Sequence, residues 1–214
     1  MDNMKTSGIV IRGTKTVIKK VGSTHAHLEY RLTQNARLTL AVIVEGDKEA
    51  SITVVIHLMG RNSFATVVGI VQARGGADIQ FHTMQHHGAV GTTSNLLVKS
   101  VLTGTSKFSY DGSIYVDPVA QKTDAYQRNE NLLLDSASRA SSEPALEILA
   151  NDVRCTHGAT IGTVNNEELW YLATRGIATP KARAMIADGF LRSAFSLIPD
   201  ADVRNTIEKQ VHLS

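Results

Sequence analysis

The chain has 214 residues, of which 43% are apolar, enough for one domain with a real core and a small appendage. Its 22 Lys and Arg nearly balance 20 Asp and Glu. They are scattered, so the basic stripe typical of nucleic-acid-binding proteins is missing and nucleic acid is not an expected partner. No apolar run reaches the roughly 18 residues of a membrane span, and the polar start is unlike a signal peptide. We therefore expect a cytoplasmic protein without a membrane partner.

Segments rich in Val, Ile and Thr fill the chain from residue 9 to about residue 115. The six clearest are 38–45, 51–59, 64–73, 77–84, 93–102 and 107–116. Turn residues separate them at a spacing of roughly 14 residues, and no helical pattern interrupts the series. The residues alone leave open whether these strands form an antiparallel sandwich or stack as a β-helix.

The next segments are expected to keep the β pattern before it changes. Residues 135–143 are Ser-rich and predict a mobile loop, and residues 144–149 predict a further strand. After Ile161 the apolar spacing becomes helical. Caps at Asn166, Thr179 and Asp200 predict the starts of three helices, the first of which ends at Gly176. We therefore divide the chain into a β core at residues 1–164 and a C-terminal helical region at 165–214.

Five blocks of sequence run in a recognisable order through the second half of the chain. They are 120–127, 129–134, 147–150, 155–160, and Tyr171 with Arg175-Gly176-Ile177. In this combination the chain resembles the SufB/SufD family, the scaffold components of the SUF system of iron–sulfur cluster assembly. The resemblance implies a mainly β fold, a right-handed parallel β-helix flattened into two sheets, followed by a small helical region. It also implies a non-enzymatic role.

The C-terminal helices are the expected docking site for a partner. In the family this region binds SufC, the ABC-type ATPase of the system, and the chain itself has no Walker motif, so ATP hydrolysis must belong to the partner. The residues expected to contact the ATPase are Trp170, Arg175, Gly176, Met185 and Phe190.

Cys155, the only cysteine, precedes His157 by two residues, so a strand would aim both side chains to one face. Thiolate and imidazole can bind a soft metal or cluster, while a core cysteine and a hydrogen-bonded histidine are the ordinary alternatives. In SufD-type members the matching histidine lies at the interface with SufB. The resemblance therefore makes Cys155 and His157 candidate metal ligands for a transient iron–sulfur cluster, with none permanently bound.

One thiolate and one imidazole are fewer ligands than a cluster requires. A second chain must complete the set, either in a homodimer or in a heterodimer with a SufB-like subunit. We therefore expect Cys155 and His157 at or near a subunit interface rather than buried inside a coil. Leu172 occupies the position of a SufB cysteine, so the chain is SufD-like there.

Other candidate residues have competing interpretations. Lys99 matches a SufB lysine that lines the interior of the β-helix and is implicated in sulfur passage; the alternative is an ordinary outward-facing lysine. His82, His86 and His87 invite a metal site, but adjacent strand residues point to opposite faces, so we do not expect one.

Two alternatives to a cluster scaffold remain from the sequence. One is a structural module that docks the ATPase without holding a cluster. The other is a β-helical enzyme acting on carbohydrate, which the 5% aromatic content and the placement of acidic residues at turns and helix starts disfavour. Family members usually carry an additional N-terminal region and a longer β-helix, so we expect either a fragment or a compact, minimal relative.

Overall fold

The computed structural model describes residues 4–22, 24–198 and 200–210, and within these ranges the chain begins with twelve strands. Their bounds are β1 Met4–Ile11, β2 Thr14–Val21, β3 His25–Leu32, β4 Arg37–Gly46, β5 Ala50–Leu58, β6 Phe64–Ala73, β7 Asp78–His87, β8 Thr93–Leu102, β9 Lys107–Val116, β10 Asp124–Leu133, β11 Arg139–Ile148 and β12 Arg154–Thr163.

Successive strands alternate between two six-stranded sheets. The odd sheet has the order β1-β3-β5-β7-β9-β11, and the even sheet has the order β12-β10-β8-β6-β4-β2. Every pairing is parallel, as in the registers Ala50 to Ile79 and Phe64 to Thr93. A chain that returns to the same sheet at every second strand winds into a flattened β-solenoid. The predicted parallel β-helix is confirmed, and the antiparallel sandwich is excluded.

Four of the corners between an odd strand and the following even strand repeat one backbone conformation. Asn35, Asn62, Gly91 and Lys122 all have φ between 57° and 70°, in the left-handed region. The amide of each donates to a carbonyl of the next coil, at distances of 2.7 to 3.1 Å. Asn and Gly tolerate this conformation, which explains their use at three of these four corners. These corner hydrogen bonds form a ladder along the solenoid that holds successive coils in register.

The interior between the sheets changes character along the solenoid. In the earlier coils it is apolar, with buried side chains such as Leu28, Val54 and Phe81. In the later coils it also holds buried polar side chains, among them His87, whose ring nitrogens lie 2.8 Å from the hydroxyls of Thr92 and Ser94. Burial lowers the pKa of His87 to about 3, so this ring is neutral at neutral pH.

The helices are α1 Asn166–Thr174, α2 Thr179–Arg192, a 3-10 helix Ser193–Leu197, and α3 Ala201–Gln210. All but α1 contribute to an apolar cluster on the outer face of the even sheet. Its buried members include Ile43, Ile70, Leu97 and Val101 from the sheet and Leu191, Phe195, Ile198 and Ile207 from the helical region. The helical region therefore shares a core with the sheet. No helix in the described ranges is long and apolar enough to cross a membrane.

Three local expectations need adjustment. The predicted loop at 135–143 is mostly strand, because β11 begins at Arg139, which pairs with Lys107. Asn165, not Asn166, caps α1, through its Oδ1 and the amide of Glu167. Ala178 occupies the cap position of α2, so the predicted Thr179 cap is wrong. The Asp200 cap of α3 is confirmed, since its Oδ1 accepts from the amides of residues 202 and 203.

Candidate functional site

The last coil of the solenoid is open. β11 and β12 are the edge strands of the two sheets, and neither has a second neighbour among the strands that the structure describes. The register aligns Leu146 and Ile148 of β11 with the interior residues Ile114 and Val116, yet they are 36% and 37% exposed. Ile161 of β12 is 46% exposed. Side chains that would be core in the middle of the stack are thus presented to solvent.

Cys155 and His157 lie in β12, on the side of the strand that faces this open interior. They pair in register with Ala125 and Gln127, which are both buried. The two side chains therefore share a face, as their spacing predicts. Cys155 is half-buried and His157 is exposed. Neither side chain is enclosed in a coil.

The surroundings of Cys155 determine its protonation. Its thiol packs against an apolar group that includes Val116 and Ala125. Burial raises the pKa of this thiol, and nearby Asp124 acts in the same direction, while a hydrogen bond with the backbone of Ala125 opposes them. The free thiol is therefore protonated at neutral pH. Binding of a soft metal would release this proton and form the thiolate.

The interior behind the open coil is polar. The amide groups of Gln85 and Gln127 are buried, and neither makes a hydrogen bond to any residue in the described ranges. Gly112 leaves room for the Gln127 amide, because a Cβ there would overlap the Tyr110 hydroxyl and lie 2.5 Å from Gln127 Nε2. Buried amides normally find hydrogen-bond partners, so this pair is an exception within the interior. Sequence reasoning missed it, since the inward direction of these amides depends on the strand register.

Lys99 has neither of the environments considered from the sequence. It lies on the outer face of the even sheet, not in the interior, but the helices cover it and leave it only 7% exposed. Its Nζ lies 2.6 Å from Glu130 Oε2, 2.6 Å from Ser193 Oγ and 4.3 Å from the centre of the Phe190 ring. These contacts join the sheet to α2 and the 3-10 helix. The interior position that the resemblance implies is contradicted, and the alternative of an outward-facing lysine holds for its direction but not for its exposure.

The expected docking residues fall into two groups. Trp170 is 71% exposed and Met185 46% exposed, and a groove of about 770 Å³ lies between α1, α2 and the end of the even sheet, with Met185 in its wall. Arg175 is also exposed, with its guanidinium 5.3 Å from the centre of the Tyr171 ring. Phe190 instead packs beneath Lys99, and Gly176, at φ 76°, follows the end of α1. Trp170, Arg175, Gly176 and Met185 are therefore exposed, while Phe190 is half-buried and lines the groove beside Met185.

The histidines at 82, 86 and 87 do not converge. His87 points inward, whereas His86 lies on the outer face 3.2 Å from Asp117, and His82 lies 3.7 Å from Asp111. Across the part of the chain that the structure describes, no three His, Cys, Asp or Glu side chains are arranged to hold a metal ion. A cluster at Cys155 and His157 would accordingly need ligands from a second chain.

Comparison with known proteins agrees with this geometry. Residues 16–190 match the model of the SUF system FeS cluster assembly, SufBD core domain. Similar proteins include a SufBD family protein of Synechocystis, 34% identical over 58% of the chain, and SufD of Escherichia coli, 29% identical over 71%. A SufBD family protein of Mycobacterium leprae is 27% identical over 86%.

The matched region makes up 27%, 36% and 23% of those three relatives, respectively, so the chain corresponds to only part of each. The family match nevertheless spans both sheets and reaches α2. The two parallel sheets wind as a solenoid, and the Cys-x-His strand lies at the open end. The chain is therefore a member of the SufBD family of iron–sulfur cluster assembly proteins.

Proposed function

We propose that this chain is a scaffold subunit in iron–sulfur cluster assembly, and that a nascent cluster forms where its open last coil meets a second subunit. The observation that carries the proposal is the position of Cys155 and His157. They share the inward side of an edge strand, beside apolar side chains that are exposed although their register is that of core residues.

A second subunit would supply both hydrogen-bond partners for the strand edges and the missing ligands for the cluster. Unpaired edges of β11 and β12 offer backbone donors and acceptors that another strand can pair with. Two copies related by a two-fold axis would bring together two thiols and two imidazoles, which equals the four ligands usual for a cluster. A SufB-like subunit would supply ligands of its own. The cluster is cargo, held during assembly and passed on.

We further propose that the exposed surface of α1 and α2 receives a SufC-type ABC ATPase. The support is an exposed tryptophan and methionine beside a groove, with the cationic Arg175 nearby. Because large exposed aromatic side chains are frequent anchors of protein interfaces, Trp170 is the expected centre of the contact.

The test is anaerobic co-expression of the chain with its ATPase and with any SufB-like partner, followed by iron and sulfide analysis of the purified complex. We expect bound iron and sulfide in the unaltered complex and at least a tenfold loss in the variants Cys155→Ser and His157→Ala. His25→Ala, at an exposed position of β3, is the matched control and should retain both.

The same experiment separates the alternative function. If the complex forms and both variants carry as much iron and sulfide as the unaltered chain, the cluster lies elsewhere. The chain would then be a structural module that docks the ATPase, and Cys155 would be an ordinary half-buried cysteine.

A further inference from the structure

Two histidines from neighbouring coils face each other on the outer side of the odd sheet. His57 of β5 and His86 of β7 are register partners, and their Nδ1 atoms are 3.2 Å apart. The opposite ring nitrogen of each faces a carboxylate. His57 Nε2 lies 3.4 Å from Glu29 Oε1, and His86 Nε2 lies 3.2 Å from Asp117 Oδ2.

The carboxylate partners assign the tautomers of the two neutral rings. A carboxylate accepts hydrogen bonds and does not donate them, so each Nε2 that faces one carries a hydrogen. In the neutral rings the two Nδ1 atoms then both carry lone pairs, and these are aimed at each other. Such a contact is repulsive unless a proton or a metal cation lies between the nitrogens.

The separation of the two Nδ1 atoms matches the geometry of metal coordination. A tetrahedral ion with metal–nitrogen bonds of about 2.0–2.1 Å places two ligand nitrogens about 3.3 Å apart. The observed separation is already close to that value.

We propose that His57 and His86 bind one divalent transition-metal ion of the imidazole-preferring class, such as Zn²⁺, through their Nδ1 atoms. Glu29 and Asp117 then act as the outer carboxylates of two carboxylate–histidine–metal arrangements, which orient the rings and increase their basicity. The site is separate from Cys155 and His157, and it does not depend on cluster assembly.

The environment makes this an exchangeable site. The side chains of His57 and His86 are 15% and 21% exposed, so an ion can enter from solvent and water can fill its remaining positions. Tyr115 packs edge-on against His86 at 5.1 Å between ring centres, which restrains that ring. His27 lies 3.8 Å from Glu29. With two protein ligands and Arg31 nearby, we expect affinity in the micromolar range.

Titration calorimetry of the untagged chain with ZnCl2 tests the proposal. The background is Cys155→Ser with His157→Ala, which removes the other thiol and imidazole pair. We expect one ion per chain, with binding weakened at least tenfold by either His57→Ala or His86→Ala. Asp117→Asn should weaken binding by about 10–100-fold without removing a metal ligand. His82→Ala, which alters a histidine paired with Asp111 on the same face, should change nothing.

Thermal unfolding without metal verifies that each variant is folded. Equal zinc binding by a His57→Ala, His86→Ala double variant would overturn the proposal. So would the absence of binding to the background chain at millimolar ZnCl2, which would mean that the two rings share only a proton. Since Cys155 and His157 are already replaced, neither outcome bears on the cluster proposal.

Discussion

Lys99 shows how one charged residue can join two layers of this protein. Its ammonium group is buried between the even sheet and the helices, where an unpaired charge would be costly. Glu130 on β10, the neighbouring strand of the sheet, forms an ion pair with it, and the Ser193 hydroxyl accepts a hydrogen bond from it. The Phe190 ring packs against it. Glu130 also pairs with Arg128 at 2.6 Å. The sequence match that singles out Lys99 is thus accompanied by a structural role at the helix–sheet junction.

Replacing Lys99 with alanine should lower the free energy of unfolding by about 2–3 kcal/mol, because it breaks a buried pair while Arg128 still partly compensates Glu130. Lys99→Met should cost less, since it preserves the packing of the side-chain stem. Chemical denaturation measures both. Lys107→Ala is the control, because its exposed pair with Asp78 should contribute little. Equal stability of Lys99→Ala and Lys107→Ala would show that the buried contacts have no net effect.

At the scale of elements, the helices have two distinct surfaces. One side of α2, the 3-10 helix and α3 completes the core over the even sheet, while α1 and the outer side of α2 remain accessible. Deleting residues 165–214 would therefore expose the apolar face of the sheet and damage the fold. Point substitutions on the accessible surface are the sharper test of docking.

Trp170→Ala and Met185→Ala should each weaken ATPase binding about tenfold or more while leaving the unfolding temperature nearly unchanged, because both side chains are largely exposed. Calorimetric titration of the chain with its cognate ATPase gives the affinity. Val119→Ala removes a 64% exposed apolar side chain at a distant corner and should bind normally. Unaltered affinity in both α1 and α2 variants would place the docking surface elsewhere.

The strands were predictable because their Val, Ile and Thr content and the turn residues between them repeat along the chain. The Ser-rich start of β11 was not, because its strand conformation comes from pairing with β9 and not from its own residues. Helix starts were found to within a residue or so, as Asp200 and Asn165 show. Period alone could not separate a sandwich from a solenoid, and the family resemblance supplied that choice.

At the scale of the whole molecule, the open end of the solenoid makes the site at Cys155 and His157 accessible. The shared face of Cys155 and His157 follows from their spacing, but their place at an edge depends on the coil in which the stack ends. The pairing of His57 with His86 was equally hidden, because the two residues are 29 positions apart and meet only through the coil register. Both the edge position of Cys155 and the pairing of His57 with His86 depend on how the coils stack, which the local sequence pattern does not reveal.

The exposed apolar side chains of the last coil should form the subunit contact. Ile148→Lys places a charge there and should convert a dimer, or a heterodimer with a SufB-like subunit, to separate chains, as light scattering coupled to size exclusion would show. Val119→Lys, at an exposed corner, should leave the assembly intact. Persistence of the assembly in Ile148→Lys, with the fold preserved, would exclude this face as the interface.

The same backbone hydrogen bond repeats at the corners of successive coils, so the coils stack at a regular spacing. Each added coil lengthens the axis by about 4.8 Å, the distance between neighbouring strands. A whole coil inserted in the middle of the stack would move the open end away from the first strands by that step and preserve the order of faces. Duplication or loss of one coil would therefore change the distance between the open end and the first strands in fixed steps. The residues at either end would not need to change.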